Sequence, residues 1–237
     1  MLWLKSFIFT IIFYLYTLFL CILLLPTLVS RRASYLLPTV WAWSVPYLIR
    51  FFCGIRIKVE GLENIPKGRG YIVASKHQSA LETIILFNYV PKLLYILKRE
   101  LLLVPIASWY FIRMKYIFID RSGGAKTMRS MTKAAKERLN EGMNLGIFPE
   151  GTRTAPGSKK PYSPGVAFLY DQLKVPVLPV AVNTGYVWPK NKIIKHAGVA
   201  TIKFLPVIPS GLDKRVFLDR LYNEIETAQD TLDKPCN

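Results

Sequence analysis

The sequence predicts an α/β layer fold behind an N-terminal membrane segment, and three observations carry that expectation. Residues 6–30 contain no charged side chain. Beyond residue 70, short apolar runs of strand length alternate with longer helical patterns. The chain is 51% hydrophobic and yet carries a formal net charge of +17 over 237 residues. That length suffices for one sizeable core plus an anchor.

The N-terminal run comes first. Lys5 precedes it and Arg31-Arg32 closes it. Its length, about 25 residues, exceeds the roughly 20 that span a bilayer as a helix. It is too long for a cleaved signal peptide, and no A-x-A site follows. Arg31, Arg32, Arg50, Arg56 and Lys58 cluster after it, and the positive-inside bias leaves the main body on the cytoplasmic side. Residues 35–55 carry Trp41, Trp43, Tyr47, Phe51 and Phe52 with Pro38 and Pro46, a composition of headgroup depth rather than of a span. The two segments fit equally a spanning helix with an interfacial follower or a helical hairpin dipping into one leaflet.

The body follows in order. Residues 55–59 alternate, and Asn64, Pro66, Gly68 and Gly70 mark turns. Strands are expected at 71–74, 93–97, 116–119, 145–148, 177–182 and 201–205. Helices are expected at 80–89, 125–139 and 166–173, the last closed by Pro176. Residues 213–232 read as a polar helical tail. The 151–165 loop is long and basic, with Arg153, Lys159 and Lys160, the kind that is commonly functional or mobile.

The charge points to anionic headgroups and anionic substrates. No zinc spacing, RNA-binding strand motif or recognition helix accompanies it, so nucleic acid is not the expected partner. Cys21, Cys53 and Cys236 are odd in number and far apart, which gives no disulfide framework. With His77 and His196 as the two histidines, no metal site is expected. No G-x-S-x-G elbow, Walker loop or dinucleotide glycine pattern occurs. His196 lies among Lys192, Lys195 and Gly198 and reads as a surface residue. The Trp109-Tyr110-Phe111 run reads as core or membrane-facing.

His77 stands in the stretch Ser75-Lys76-His77-Gln78-Ser79-Ala80-Leu81-Glu82-Thr83, just after a strand. As a general base it would take a proton from a substrate hydroxyl, with a carboxylate holding its tautomer. Glu82 is the candidate acid. Five residues turn a regular helix about 140° off its starting face, so the pair meets only if His77 precedes the helix. Ser79, as an N-cap, fits that geometry. Ser79-Ala80-Leu81-Glu82 is equally a capping box, in which Glu82 bonds back to the N-cap amide. Spacing leaves both roles open. Downstream, Phe148-Pro149-Glu150-Gly151-Thr152-Arg153 ends another apolar run. Gly151 permits a tight turn and Arg153 offers a planar fork for phosphate oxygens. Arg121 and Lys98 also follow strands, and cations at strand ends suit an anion site at a sheet edge.

Taken in order, these pieces resemble the four blocks of the glycerolipid acyltransferase family, nearest to the bacterial 1-acyl-sn-glycerol-3-phosphate acyltransferases. Residues 75–83 match the first block, and 98–121, with Pro105, Trp109 and Phe118-Ile119-Asp120-Arg121, the second. Residues 148–153 match the third and 175–180 the fourth. Two departures are Glu82, where the family's usual acid is aspartate, and Ser108, where glycine is common. The resemblance implies a single mixed-sheet domain with helices around it over 55–210. A membrane anchor over 1–54 would precede it and the tail, 211–237, would follow. It also implies acyl transfer from acyl-CoA or an acyl carrier protein thioester to the sn-2 hydroxyl of lysophosphatidate, with no cofactor. His77 would be the base and Glu82 its orienting acid. Arg153, Arg121 and Lys98 would hold the phosphate, Glu150 would contact the glycerol, and Gly151 and Thr152 would shape the turn. The alternatives are a sibling that acylates another lyso-lipid or glycerol 3-phosphate, and a non-catalytic module that binds anionic lipid.

Overall fold

The computed structural model describes residues 2–68, 70–120 and 124–233. Helix α1 (Leu2–Leu23) leads through a 3₁₀ turn and the short α2 (Arg31–Ser34) into α3 (Leu36–Cys53). Strand β1 (Ile55–Glu60), β2 (Ile72–Ser75), α4 (Leu81–Tyr89), β3 (Leu93–Lys98), α5 (Ala107–Arg113) and β4 (Ile117–Ile119) follow. The chain continues as α6 (Gly124–Asn140), β5 (Asn144–Ile147), α7 (Pro164–Leu173), β6 (Val177–Val182), α8 (Thr184–Val187), β7 (Gly198–Phe204) and α9 (Lys214–Leu232).

The strands form one seven-stranded sheet in the order β1-β7-β6-β2-β5-β3-β4. Neighbours pair in parallel except β6 and β7, which are antiparallel, so the sheet is mixed as expected. Alternation along a strand sends side chains to opposite faces. In and just before β2, Tyr71 and Val73 join a core with Val45 and Ile49 of α3 and Leu81, Ile84 and Ile85 of α4. Ile72 and Ala74 face the other way, toward Met131 and Ala135 of α6, Leu169 and Tyr170 of α7, and Phe217, Leu221 and Ile225 of α9. The result is three layers, helix–sheet–helix.

One expectation is sharpened here and one changes. Of residues 35–55, 36–53 form a continuous helix that contains Pro46 and ends on Gly54 in the left-handed conformation. It packs antiparallel on α1, with Tyr16 donating to Ser44 at 2.7 Å and Trp41 to Thr17 at 2.9 Å. The expected polar tail is α9, whose Phe217, Leu221 and Ile225 are fully buried. A four-residue spacing keeps them on one helix face while the remaining positions stay charged, which is why composition alone reads as a tail.

Both α1 and the α3 segment with its leading α2 turn are long and apolar enough to cross a membrane. One face of α1 exposes Trp3, Phe7, Ile11, Tyr14, Leu18 and Ile22, so the protein is membrane-associated. Ser6, near the start of α1, bonds the backbone of Lys195. Cys21, near its end, accepts from the Tyr110 hydroxyl at 3.0 Å. Both ends of a stretch about 22 Å long therefore rest on the same globular body.

Candidate active site

The parallel strands β2, β3 and β5 end at one edge of the sheet. The chain leaves β2 over one face through α4 and returns to β5 and β6 over the other through α6 and α7. Such a divergence opens a crevice at the carboxyl ends. His77 sits there, two residues beyond β2, with Lys98 closing β3 and Glu150 to Arg153 following β5.

His77 precedes the helix, as the pairing with Glu82 requires. Its Nδ1 lies 2.7 Å from Glu82 Oε1. The same carboxylate accepts from the backbone N–H of Gln78 at 2.9 Å and of Ser79 at 2.8 Å. The two roles left open by spacing therefore coexist: Glu82 caps the first turn of α4 and orients the imidazole. The cap position itself shifts by one residue. Ala80, not Ser79, flanks the helix, and the Ser79 hydroxyl accepts from the Leu81 N–H at 3.1 Å. Glu82 is fully buried, and its other oxygen accepts from the Thr184 hydroxyl at 2.6 Å.

The backbone of His77 is held as well. Its N–H donates to Glu150 Oε2 at 3.0 Å, and its carbonyl accepts from the Thr154 N–H at 2.7 Å. Phe148 stacks on the imidazole at 3.9 Å between centroids, and Tyr95 stacks on Phe148 in turn. A carboxylate at Nδ1 keeps a proton there and leaves Nε2 as the basic nitrogen, so the pair can accept a proton from a nearby hydroxyl.

His77 lines a cavity of about 620 Å³. One part of its wall is cationic and polar: Lys98, Gly151, Thr152, Arg153 and Lys190. The rest is apolar and runs to the hairpin, past Tyr95, Tyr110, Phe111, Met114, Cys21 and Leu37. Gly151 turns the loop at φ +68°, a conformation that favours glycine.

Of the residues expected at the site, His77, Glu82, Lys98, Gly151, Thr152 and Arg153 converge. Arg121 lies outside the described residues. Glu150, expected to contact the glycerol, is not among the residues that line the cavity. Its side chain is fully buried and turned away from the cavity, where it accepts from His77 N–H and the Thr154 hydroxyl and pairs with Lys76 Nζ at 2.9 Å. His196 is exposed, as expected. In the Trp109-Tyr110-Phe111 run, Tyr110 is buried against α1 while Trp109 is half exposed.

Sequence reasoning missed four residues here. Lys190 gave no signal, because a Pro-Lys-Asn-Lys run reads as solvated surface. Thr184 opens a four-residue helix too short for periodicity. Next to it Gly185 leaves no room for a side chain: a Cβ there would lie 2.9 Å from Gln78 Cβ. Lys76 gave no signal, because a lysine just after a strand reads as solvated, yet its side chain is 1% exposed.

The fold and site thus define a membrane-associated α/β protein with a histidine–carboxylate pair beside a cationic, partly apolar cavity. A family model described as Acyltransferase matches residues 56–183. The chain belongs to the acyltransferase family. It is 39% identical over 168 residues to a Pseudomonas aeruginosa protein named 1-acyl-sn-glycerol-3-phosphate acyltransferase, covering 71% of this chain and 65% of that one. The human protein named 1-acyl-sn-glycerol-3-phosphate acyltransferase alpha is 30% identical over 164 residues, covering 68% of this chain and 58% of its own. The matched segment thus spans less than two thirds of these relatives. The fold is similar to the crystal structure of the 1-acyl-sn-glycerophosphate acyltransferase PlsC from Thermotoga maritima, with a TM-score of 0.76. That match covers 100% of this chain and 96% of the other at 22% identity.

Proposed function

We propose that this chain transfers an acyl group from an acyl thioester to the sn-2 hydroxyl of lysophosphatidate, forming phosphatidate for phospholipid biosynthesis. The observation that carries the reading is the His77–Glu82 pair, at 2.7 Å, in the wall of a cavity that also holds Lys98 and Arg153. The names of the curated relatives support the acceptor. Nε2 of His77 takes the hydroxyl proton as the oxygen attacks the thioester carbonyl carbon. Glu82 stabilises the imidazolium that forms. The tetrahedral intermediate then collapses, the C–S bond breaks, and the proton passes from His77 to the departing thiolate. The thioester is already activated, so the step calls on no metal or cofactor. Lys98, Arg153 and Lys190 hold the acceptor phosphate, and the apolar part of the cavity takes hydrocarbon. Acyl-CoA and acyl-acyl carrier protein both suit the basic surface as donors.

The docking of both ends of α1 on the body supports a hairpin that lies in one leaflet. The reading places it in the cytoplasmic leaflet of the inner membrane, among anionic lipids.

The test offers the purified protein lysophosphatidate, other lyso-lipids and glycerol 3-phosphate, each with acyl-CoA or acyl-acyl carrier protein. Phosphatidate from lysophosphatidate is expected, and turnover should fall about 10²- to 10⁴-fold in His77→Ala. Preference for another acceptor would replace the substrate. A His77→Ala variant that keeps more than half its turnover would end the mechanism.

A further inference from the structure

Lys76 is an ammonium group sealed inside the protein beside the proposed base. Its Nζ lies 2.9 Å from Glu150 Oε1, 2.6 Å from Glu226 Oε1 and 3.2 Å from the Ser158 carbonyl. Glu226 is on α9, 150 residues away in sequence, and is itself 3% exposed. The Tyr162 hydroxyl donates to the same Glu226 oxygen at 2.9 Å. Charged side chains are almost never so buried unless they are paired. Replacing such a cluster with apolar residues is often neutral for stability or better, so stability alone does not account for it.

Its placement does. Glu150 gives one oxygen to Lys76 and the other to the N–H of His77. The direction of that carboxylate therefore depends on where the ammonium sits. The ammonium is shared with Glu226, which belongs to the last helix. We infer that Lys76 and Glu226 are positioning residues, acting through Glu150 on the backbone of His77, and that α9 is thereby part of the active-site scaffold. Glu226 lies outside residues 56–183, the segment matched by the family model. The inference rests on the reaction proposed above for its kinetic consequence, while the geometry it concerns is independent of turnover.

A second tie between the same loop and the same helix provides a control. Lys159 pairs with Asp230 at 2.8 Å on the surface, away from His77. The experiment compares Lys76→Met, Glu226→Gln and Asp230→Asn in the full chain. It measures kcat, KM for lysophosphatidate, melting temperature and the imidazole NMR signals. The chain has two histidines, so His77 is read against the exposed His196.

Glu226→Gln is expected to lower kcat about tenfold, the effect of weakening one charge-assisted hydrogen bond, and Lys76→Met about a hundredfold. KM should stay within about twofold, since these residues touch no substrate. The His77 signal should move in both variants, and Asp230→Asn should match the unmodified chain throughout. If Lys76→Met does not fold, Glu226→Gln decides alone. The inference is overturned if Glu226→Gln leaves both kcat and the His77 signal unchanged. It is equally overturned if kcat falls with melting temperature while the His77 signal stays in place, or if Asp230→Asn behaves the same way. If instead the His77 signal moves but His77→Ala remains active, the positioning stands and the proposed chemistry fails.

Discussion

At the scale of single residues, Glu82 serves four donors with two oxygens: the His77 ring, the N–H of Gln78, the N–H of Ser79 at both oxygens, and the Thr184 hydroxyl. Capping needs only an acceptor, whereas orienting an imidazolium needs the charge. Glu82→Gln keeps the first and loses the second. It is expected to fold with a melting temperature near that of the unmodified chain and to lose at least about 10²-fold in turnover. Full activity in Glu82→Gln would leave the residue a cap and nothing more. Arg153 carries the second prediction. It lines the cavity and reaches Asn191 at 3.5 Å, which is too long to hold its fork firmly. Arg153→Lys keeps the charge but loses bidentate contact, so KM for lysophosphatidate should rise, and Arg153→Ala should raise it further. A charged hydrogen bond contributes about 1.5–3 kcal/mol, or roughly 10- to 200-fold in binding. KM for the acyl donor should hardly change. If the donor is weakened and lysophosphatidate spared, Arg153 serves the donor rather than the acceptor phosphate.

At the scale of elements, the question is how α1 meets the membrane. A transbilayer α1 would put Lys5 and Arg32 on opposite sides, whereas a hairpin bonded to the body through Ser6 and Cys21 keeps them on one side. Both residues are exposed. Lys5→Cys and Arg32→Cys, each introduced after the native cysteines are replaced by serine, should react with an impermeant maleimide from the same face of sealed vesicles. Labelling from opposite faces would establish a span and contradict the docking of α1. The anchoring contacts are substantial. Trp188 packs edge-on against Phe9 and Phe13 of α1, at 5.4 and 5.5 Å. Lys195 Nζ stands 5.3 Å over the Trp188 ring. Aromatic pairs of this kind contribute about 0.5–1.5 kcal/mol each beyond their buried area.

At the scale of the whole molecule, one buried charge ties its distant parts together. Burial pulls the Lys76 pKa down, but the carboxylates of Glu226 and Glu150 outweigh it and the net shift is upward from 10.5. A raised amine contributes stability that is fully present below its unfolded value and is lost as pH rises through the folded value. The melting temperature should therefore change little on this account from pH 7 to about 10 and fall beyond. Lys76→Met should flatten that alkaline fall and lower stability at neutral pH, because two carboxylates remain in the interior without their cation. An alkaline fall of the same size in Lys76→Met would remove Lys76 from this role.

The sequence by itself determined the alternation of strands and helices, because periodicities of 2 and 3.6 are local and apolar residues must face a core. It placed a histidine and a carboxylate at a strand end, and an arginine on a glycine turn at another, because those signals lie within a few residues. The strand order, the packing of α9 into the core, and the meeting of Lys76, Glu150 and Glu226 were decided only by tertiary structure. Their contacts join residues 74 to 150 positions apart, and no local pattern marks them. The physical reason is the same for Glu150 and Lys76. A charged residue defaults to water, and only a partner brought from elsewhere in the chain makes its burial tolerable. Thr184 and Lys190 join the site for a related reason, since the segment that carries them follows β6, whose place beside β2 emerges only when the sheet assembles.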